Sequence, residues 1–479
     1  MRVSIFMCLF LAAASLFAYV NPALVGLADN TVMDLGVFQC GAVEGESSAD
    51  CRKMTDFSGF AYDRARQQIV IFGGGHATTF TDAIEAFSFQ TLAWHSLYTP
   101  TPCSYLTAGN ADGTKGAWLS GPSGPYPRPY ARHTYDEMAV PDNTGELVLL
   151  APPNSCGSCA SCSAPLTGQG RVAHYSFQDN TWSFSATAPC DGFLSYSMLT
   201  YPSAEYDPVS GKIIQLATWG LYVYDPVTKI ETCPVDAYRT DFKDSTGAKT
   251  NGLPGGWCHM VYYPPNRRFY YFDRSFSPLR VYELALNRAD FSQSTLTPIA
   301  FTGTPPSGEK GYDYDAVNQV IGGGISNSTF YAFNPKTRAW DSRTMQGGSP
   351  GAMAFHAIAY DSANNVFIFT DDDPFGKHTW AYRYKKATGN GIVARPSAGL
   401  APNPLTVSPN PLRALAVVSA GNRDADIAVF DLGGKNVASF ACAGGGPAVW
   451  KTEGLPAGIY IIKAKTGADV FTRPAFVVR

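Results

Sequence analysis

The chain has 479 residues and a net charge of −3 at pH 7, with 16% charged and 13% aromatic residues. This near-neutral balance, with no block of basic residues, gives no electrostatic basis for binding nucleic acid or an anionic membrane surface. The eleven cysteines are many for a cytoplasmic protein and are expected in an exported one.

The first residues have the composition of a secretory signal peptide. Arg2 precedes an apolar run that extends from Ile5 to Phe17, and Ala18 is a small residue suited to cleavage. We therefore predict a signal peptide over residues 1–18. The apolar run is shorter than the roughly 20 residues that a membrane-spanning helix needs. No other segment reaches that length, so we predict no transmembrane segment in the mature chain.

One pattern, a hydrophobic couplet around a short polar turn, recurs six times between residues 57 and 386. The six couplets span residues 60–75, 139–150, 205–216, 261–272, 311–324 and 358–369. Runs rich in Val, Ile, Tyr and Phe favour strands, and the Asp, Pro, Asn and Gly between them favour tight turns, so each couplet is a predicted hairpin. In three copies an aromatic residue then stands seven residues before a Trp: Phe87 and Trp94, Tyr175 and Trp182, Phe333 and Trp340.

Four antiparallel strands in a repeat of about fifty residues form one blade of a β-propeller. The Gly73-Gly74-Gly75 run after the second strand and the later Trp resemble the kelch and galactose-oxidase group of propellers, over residues 30–390. The third copy departs from the pattern, with Glu231 in the Trp position, and the fourth has no clear equivalent. The resemblance implies an all-β propeller. The count of six copies favours six blades, and a seventh is possible in the irregular stretches 98–128 or 285–308.

The sixth copy lacks a fourth strand of its own. Its third strand ends at 380–384, whereas 31–36 is a strand that has no hairpin partner before the first copy. We predict that 31–35 pairs with 380–384, because this pairing completes the blade and removes the exposed edges of an open array.

The C-terminal part of the chain has a different composition. A Pro- and Gly-containing linker is predicted at 391–404, followed by a small β-sandwich at 405–479. The segments 407–411, 426–434 and 455–463 resemble, in that order, the C-terminal sorting domain of the type IX (Por) secretion system. The resemblance implies recognition by the type IX secretion machinery and export across the outer membrane. An unrelated fibronectin-like adhesive domain is the alternative.

Two disulfides are predicted from proximity in the sequence or in the repeat: Cys40 with Cys51, and Cys233 with Cys258. Nine cysteines precede the linker in the mature chain, so one of them is left over or pairs with Cys442.

A cluster of three cysteines has the spacing of a thiolate metal site, with two residues between neighbours: Cys156, Cys159 and Cys162. In an exported chain, disulfides with Cys103 or Cys190 are favoured over metal binding. We therefore predict neither a bound metal nor a cofactor.

The candidate functional residues are predicted on one face of the propeller, because the start of the first strand and the end of the second lie on the same face of a blade. The positions four residues before the first-strand Tyr, or its equivalent, are polar in five copies of six: Ser58, Asp136, Pro202, His259, Lys310 and His356. The segment from Arg132 to Tyr135 leads into the second blade, and residues 371–373 with Lys377 follow a second strand. Five of the seven histidines therefore project to this face: His76, His133, His259, His356 and His378.

Three functions are compatible with such a face. A polysaccharide lyase of the ulvan-lyase type needs an Arg or His to neutralise a uronate carboxylate, a His or Tyr to take the neighbouring proton, and an acid for the leaving oxygen. The predicted catalytic residues are His133, Tyr135, Arg132 and His259. The predicted substrate-binding residues are His76, Asp136, Lys310, His356 and His378.

The first alternative is a non-catalytic kelch module that binds a glycan or a protein at the cell surface. A copper radical oxidase of the galactose-oxidase type is a remote alternative, because it needs a Tyr-His ligand couple and no Tyr here is followed directly by His. An exported or cell-surface propeller that acts on or binds carbohydrate is the favoured interpretation.

Overall fold

The computed structural model describes two compact units, divided between Gly391 and Ile392. The described residues are 19–386 and 405–477, apart from a set of intervening segments. Those segments are 43, 45–50, 74–80, 103, 105–110, 113–117, 120–126, 130, 151–171, 186–202, 218–219, 237–241, 251–257, 275–277, 309, 374–376, 409–414, 421–423, 432–434, 444–445, 447, 453, 457 and 467–468. The predicted signal peptide (1–18) and linker (391–404) lie outside the described residues.

The first unit is an all-β propeller whose blades are six four-stranded antiparallel sheets. A short helix, α1 (Pro22–Val25), and the strand β1 (Thr31–Val37) come first, and two 3₁₀ turns lie at Cys51–Asp56 and Phe291–Gln293. Blade 1 contains β2 (Ala61–Asp63), β3 (Gln68–Phe72), β4 (Ile84–Ser88) and β5 (Ala93–Ser96). A small three-stranded sheet follows, with β6 (Ala111–Asp112), β7 (Trp118–Leu119) and β8 (Arg128–Pro129).

The remaining blades follow the same order, from the inner strand outwards. Blade 2 contains β9 (Met138–Ala139), β10 (Leu147–Leu149), β11 (Ala173–Ser176) and β12 (Thr181–Phe184); blade 3 contains β13 (Ser203–Asp207), β14 (Lys212–Ala217), β15 (Gly220–Asp225) and β16 (Ile230–Asp236). Blade 4 contains β17 (Cys258–Tyr263), β18 (Arg268–Asp273), β19 (Arg280–Ala285) and β20 (Thr295–Ile299); blade 5 contains β21 (Tyr312–Asp315), β22 (Val320–Ser326), β23 (Thr329–Asn334) and β24 (Ala339–Thr344). Blade 6 contains β25 (Met353–Asp361), β26 (Val366–Asp371) and β27 (His378–Arg383), with β1 as its fourth strand.

The completion of blade 6 by β1 confirms the pairing predicted from the sequence. Thr31 pairs with Arg383 and Asp34 with Trp380, in an antiparallel register. The inner strand of each blade contacts the inner strand of the next, and β25 contacts β2, so the six inner strands form a ring. No seventh four-stranded blade occurs in the described parts of 98–128 and 285–308.

The Tyr-Asp pair that ends several inner strands connects each hairpin to the neighbouring blade. The carboxylate of Asp361 accepts the backbone N–H of Ala363 at 3.1 Å and thereby closes its own turn. The hydroxyl of Tyr62, in blade 1, donates to the same carboxylate at 2.9 Å. In the turn after Tyr62, Gln67 adopts φ 49°. The repeated dipeptide therefore shapes a turn and also holds two blades together.

The seven-residue spacing between an aromatic residue and a Trp has a simple cause. Phe87 is the cross-strand partner of Trp94, and Phe333 is the partner of Trp340. Their ring centroids are 5.4 and 5.1 Å apart, within the range of favourable aromatic contacts. These pairs belong to the cores between neighbouring blades.

One of the two predicted disulfides is confirmed and the other is wrong. Cys40 is bonded to Cys51. Cys233 is in a disulfide, but Cys258 is a buried thiol whose Sγ lies 3.5 Å from Asp273 Oδ1. The pairing fails because Cys233 is on the outermost strand of blade 3, whereas Cys258 begins the innermost strand of blade 4. The cluster of Cys156, Cys159 and Cys162, with Cys103 and Cys190, lies outside the described residues.

The second unit is a small β-sandwich of two antiparallel sheets. One sheet has the order β28-β29-β32 and the other β31-β30-β33-β34. The strands are β28 (Leu405–Ser408), β29 (Leu415–Ala420), β30 (Ala425–Asp431), β31 (Asn436–Cys442), β32 (Ala448–Lys451), β33 (Gly458–Thr466) and β34 (Asp469–Val477). Its core is built around Trp450 and Tyr460, and Cys442 is a buried thiol within it. Within the described parts of both units, no helix is long and apolar enough to cross a membrane.

Candidate functional site

Three of the five predicted histidines meet at one end of the ring of inner strands, and all three are buried. His133 is 8% exposed, His259 6% and His356 1%. Phe57 stacks on His133 at a centroid distance of 4.8 Å and contacts Phe355 at 5.0 Å. The predicted face therefore carries a packed aromatic layer, which we call the channel floor: Phe57, His133, Tyr135, Asp136, His259, Phe355 and His356.

Two glycines allow the loop that carries His133 to pass over blade 1. Tyr135 adopts φ 42°, its N–H donates to Phe57 O at 2.8 Å, and its carbonyl accepts from Gly59 N at 2.6 Å. A Cβ on Gly59 would lie 2.4 Å from Tyr135 O. Gly73, the first glycine of the Gly-Gly-Gly run, has φ 105°, and a Cβ there would lie 2.1 Å from Arg132 O. Both glycines are required by backbone packing.

Asp136 is the polar centre of the channel floor. Its Oδ1 lies 3.3 Å from His259 Nδ1, and its Oδ2 accepts the backbone N–H of Met260 at 3.1 Å and the hydroxyl of Ser203. His259 Nδ1 is also 3.2 Å from His356 Nδ1, with the two rings stacked at 11°. Because Met260 and His259 belong to blade 4, Asp136 of blade 2 reaches past the inner strand of blade 3.

Above the floor lies a cavity of about 300 Å³, which we call the channel. One side is lined by small residues from blades 1, 2 and 6, and the other by the carboxyl groups of blades 3 and 5. The small residues are Ala61, Ala139 and Ala359; the acids are Glu205 and Asp313. These five residues occupy the same position of their respective repeats, immediately before the Tyr or its equivalent.

The channel leads to the hairpin turns, on the opposite face from the one predicted. Arg64 and Asp142 stand at this rim, 3.6 Å apart, with side chains 64% and 55% exposed. Ser362 is also an exposed rim residue. Since the floor is buried and the rim is exposed, the channel opens to solvent on the turn face.

The pKa values of the channel carboxyl groups are raised above those of free Asp and Glu side chains. Burial raises the pKa of Asp136 to about 7 and that of Asp313 to about 6. Burial, together with the charges of Asp313 and Asp136, raises the pKa of Glu205 well above its usual value. Burial and the neighbouring His356 lower the pKa of His259 well below its usual value. The cause in each case is that a low-dielectric site disfavours the charged form.

The other predicted site residues lie away from the channel or outside the described residues. Arg132 is buried at 1% exposure, and Lys310 Nζ donates to Met353 O at 2.7 Å. His378 lies at the start of the third strand of blade 6 and binds the carboxylate of Asp34, on β1, at 2.8 Å, two strands out from the inner strand. His76 lies outside the described residues.

Three residues of the channel were missed in the sequence: Arg64, Glu205 and Asp313. The signal that was available is a comparison between repeats, because Glu205 and Asp313 replace an Ala found in three other copies. The described residues include no group of three or more His, Cys, Asp or Glu side chains that is arranged to hold a metal ion.

No protein-family model and no curated protein matches the chain. Among solved structures it is similar to PorZ, described as an essential bacterial surface component of the type-IX secretion system of Porphyromonas gingivalis, at 13% identity and a TM-score of 0.35, over 89% of this chain and 57% of that one. It is similar to the extracellular domain of a protein of B. thetaiotaomicron described as a one-component system, at 11% identity and a TM-score of 0.33, over 88% and 50%. A second extracellular domain from that organism, described as part of a hybrid two-component system, gives 10% identity and a TM-score of 0.29, over 86% and 66%. The chain thus spans about half to two thirds of the length of these structures, and likeness at this level establishes neither family nor function.

Proposed function

We propose that this chain is an exported, cell-surface propeller that binds a saccharide in its central channel. The observation that carries the proposal is the two-sided cavity, with three alanines facing two carboxyl groups. Carboxyl oxygens accept hydrogen bonds from sugar hydroxyl groups, and the alanine side offers an apolar surface to the C–H face of a sugar ring. A volume of about 300 Å³ is at the small end of the range of small-molecule sites, roughly 300–1,000 Å³, and suits the end of a glycan chain.

Export is the part of the proposal that rests on the two ends of the chain. The signal-peptide pattern, the Cys40–Cys51 disulfide and the resemblance of residues 405–479 to a type IX sorting domain support it. Removing residues 402–479 is expected to leave a folded propeller trapped inside the outer membrane, because two compact units fold as separate cores. The location of the truncated chain is measured by cell fractionation and immunoblotting. Normal export of that chain contradicts the sorting role.

Blocking the rim of the channel tests the saccharide site directly. The mature full-length chain is titrated by calorimetry with neutral and acidic oligosaccharides of two to four residues. Ser362→Trp places an indole at the rim, whereas Val227→Trp adds the same ring at a 64% exposed turn position in the outer part of blade 3. We expect Ser362→Trp to abolish binding and Val227→Trp to preserve it. Equal binding by both variants means that the sugar binds outside the channel. Absence of binding by the parent contradicts the proposal.

A polysaccharide lyase is the second candidate, and one contact favours it. His133 Nδ1 and Tyr135 OH are 2.9 Å apart, which is the base-and-phenol pair that proton abstraction next to a uronate requires. Both side chains are buried, so a lyase needs the floor to open to its substrate. Uronate polysaccharides are incubated with the mature chain, and the absorbance of a new double bond is followed. If activity is found, His133→Ala is expected to reduce its rate by about two to four orders of magnitude with thermal stability retained.

A further inference from the structure

The channel collects acidic groups without a matching set of cations. Asp136, Glu205 and Asp313 line the same cavity, and Arg64 at the rim already lies 3.6 Å from Asp142. The other charged or titratable groups that surround the three acids, at the rim or on the floor of the channel, are Arg64, Asp142, His259 and His356. Arg64 is the one Lys or Arg side chain in the described lining. Because it is shared with Asp142 and its side chain is 64% exposed, it offsets only part of the negative charge that Glu205 and Asp313 gain on ionisation.

The hydrogen bonds of the three carboxyl groups do not supply the missing positive charge. Asp313 Oδ2 accepts the backbone N–H of Tyr360 at 2.6 Å, and Asp136 Oδ2 accepts that of Met260 at 3.1 Å. These donors are neutral and keep their protons at every pH of interest. The side chain of Glu205 has no hydrogen-bond or ion-pair partner among the described residues. Apart from the partial offset by Arg64 and by His356 beside Asp136, the charge of the channel is therefore set by how many of its carboxyl groups hold a proton.

We propose that Asp136, Glu205 and Asp313 act as a pH-dependent charge filter, which excludes acidic saccharides from the channel at neutral and alkaline pH and admits them at acid pH. The inference rests on the saccharide site proposed above and names how that site is regulated. It also assigns a ligand preference, because neutral sugars are insensitive to the filter.

The direction and range of the effect follow from the protonation of the three groups. Their pKa values are raised, to about 7 for Asp136 and about 6 for Asp313, so the channel gains negative charge as the pH rises through 6 and 7. His259 does not cancel this charge, because burial holds its pKa well below the usual value and keeps the ring neutral. The groups share one cavity, so they titrate as a coupled set. Each ionised carboxylate is expected to weaken binding of a uronate by about threefold to thirtyfold at a separation of roughly 8 Å.

The test compares an acidic and a neutral trisaccharide on the mature full-length chain. Trigalacturonate and cellotriose are titrated by calorimetry at pH 5 and at pH 8. We expect trigalacturonate to bind at least about tenfold more weakly at pH 8, with the cellotriose affinity changed by less than about twofold. Glu205→Gln and Asp313→Asn each remove one charge and should reduce the pH dependence for trigalacturonate. Asp426→Asn, at an exposed position of β30 in the second unit, removes a charge outside the channel and should leave it unchanged.

Three outcomes overturn the filter. They are an equal pH response for both sugars, a trigalacturonate affinity that does not fall between pH 5 and 8, and variants of Glu205 and Asp313 that behave like Asp426→Asn. If neither sugar binds at either pH, the saccharide site is contradicted. The titration of the three carboxyl groups is then measured on the protein without ligand. Carboxyl ¹³C signals of the parent, assigned by comparison with the Asp136→Asn, Glu205→Gln and Asp313→Asn variants, then report the titrations. Midpoints below pH 5 for all three groups refute the charge filter, and midpoints near neutral pH support it.

Discussion

We predict that strand β1 contributes a large share of the stability of the propeller, because it supplies the fourth strand of blade 6. Deleting residues 30–35 removes four of the five register pairs between β1 and β27. It also removes the bond from Val32 N–H to Gln346 O at 2.8 Å and the bond from the Tyr382 hydroxyl to Asn30 Oδ1 at 2.7 Å. The deletion therefore leaves β27 as an exposed edge.

The expected cost is comparable with the stability of a whole domain. Roughly six hydrogen bonds are lost, each with a net contribution of about 1 kcal/mol. Val32 is 2% exposed, and the loss of its burial adds about 2 kcal/mol. The sum of about 8 kcal/mol falls within the roughly 5–15 kcal/mol that separate a native domain from its unfolded state. We expect no cooperative thermal transition of the propeller at ordinary temperatures.

Circular dichroism and differential scanning calorimetry on the deletion variant measure this effect. A matched pair of point variants controls for the loss of residues as such. Val32→Ala should cost about 1–3 kcal/mol, whereas Val37→Ala, on the same strand but 39% exposed, should cost less than about 0.5 kcal/mol. A deletion variant that melts within a few degrees of the parent refutes the stabilising role of β1.

Three further predictions concern the loops and the channel. Gly73→Ala should lower the free energy of unfolding in urea by about 3 kcal/mol, because its Cβ meets a backbone oxygen and its φ is 105°; Gly145→Ala, at φ 63° with open space around it, should cost only about 1 kcal/mol. Tyr62→Phe should cost about 1–2 kcal/mol, because it removes the bond to Asp361 in the next blade, and an unchanged urea midpoint contradicts the connecting role of the Tyr-Asp pair. The raised pKa of Asp136 means that folding favours its protonated form, so the parent loses stability as the pH rises from about 4, where the unfolded carboxyl group ionises, to about 7, where the folded one does. The stability of Asp136→Asn relative to the parent should therefore rise by up to about 4 kcal/mol between pH 3 and pH 8; the same difference at both pH values refutes the titration.

The fold was predictable because its determinants are local. Each hairpin is specified by strand-forming residues around an Asp- or Gly-containing turn, and the missing fourth strand of blade 6 left β1 as its evident partner. The disulfide between Cys233 and Cys258 was predicted wrongly, because proximity in the repeat does not tell an inner strand from an outer one. The same limit affects His378, which is at the correct end of its blade but two strands from the channel.

The site was less predictable, because strand direction gives the face on which a residue lies and does not give its burial. His133 and His356 were expected at an open mouth, but both are buried. His133 stacks on Phe57, which in turn contacts Phe355. Both phenylalanines were present in the sequence, but the contact between them depends on the curvature of the ring of blades. The catalytic roles assigned to the histidines stay predictions.

Differences between the copies of a repeat separate structural requirements from functional ones. Four blades have an uncharged residue at the position before the inner-strand Tyr or its equivalent: Ala61, Ala139, Ala359 and, in blade 4, Tyr262. Packing at this position therefore requires no carboxyl group. Glu205 and Asp313 are the exceptions, and placing a carboxyl group in a low-dielectric cavity costs free energy of folding unless a partner compensates it. Asp313 gains a backbone N–H, but Glu205 gains no such partner within the described residues. In the proposed saccharide site, Glu205 accepts a hydrogen bond from a sugar hydroxyl group, and the fold itself does not require its carboxyl group. Glu205→Ala is therefore expected to weaken cellotriose binding and to raise the stability of the propeller, because a neutral sugar loses an acceptor and the fold loses a desolvated carboxyl group.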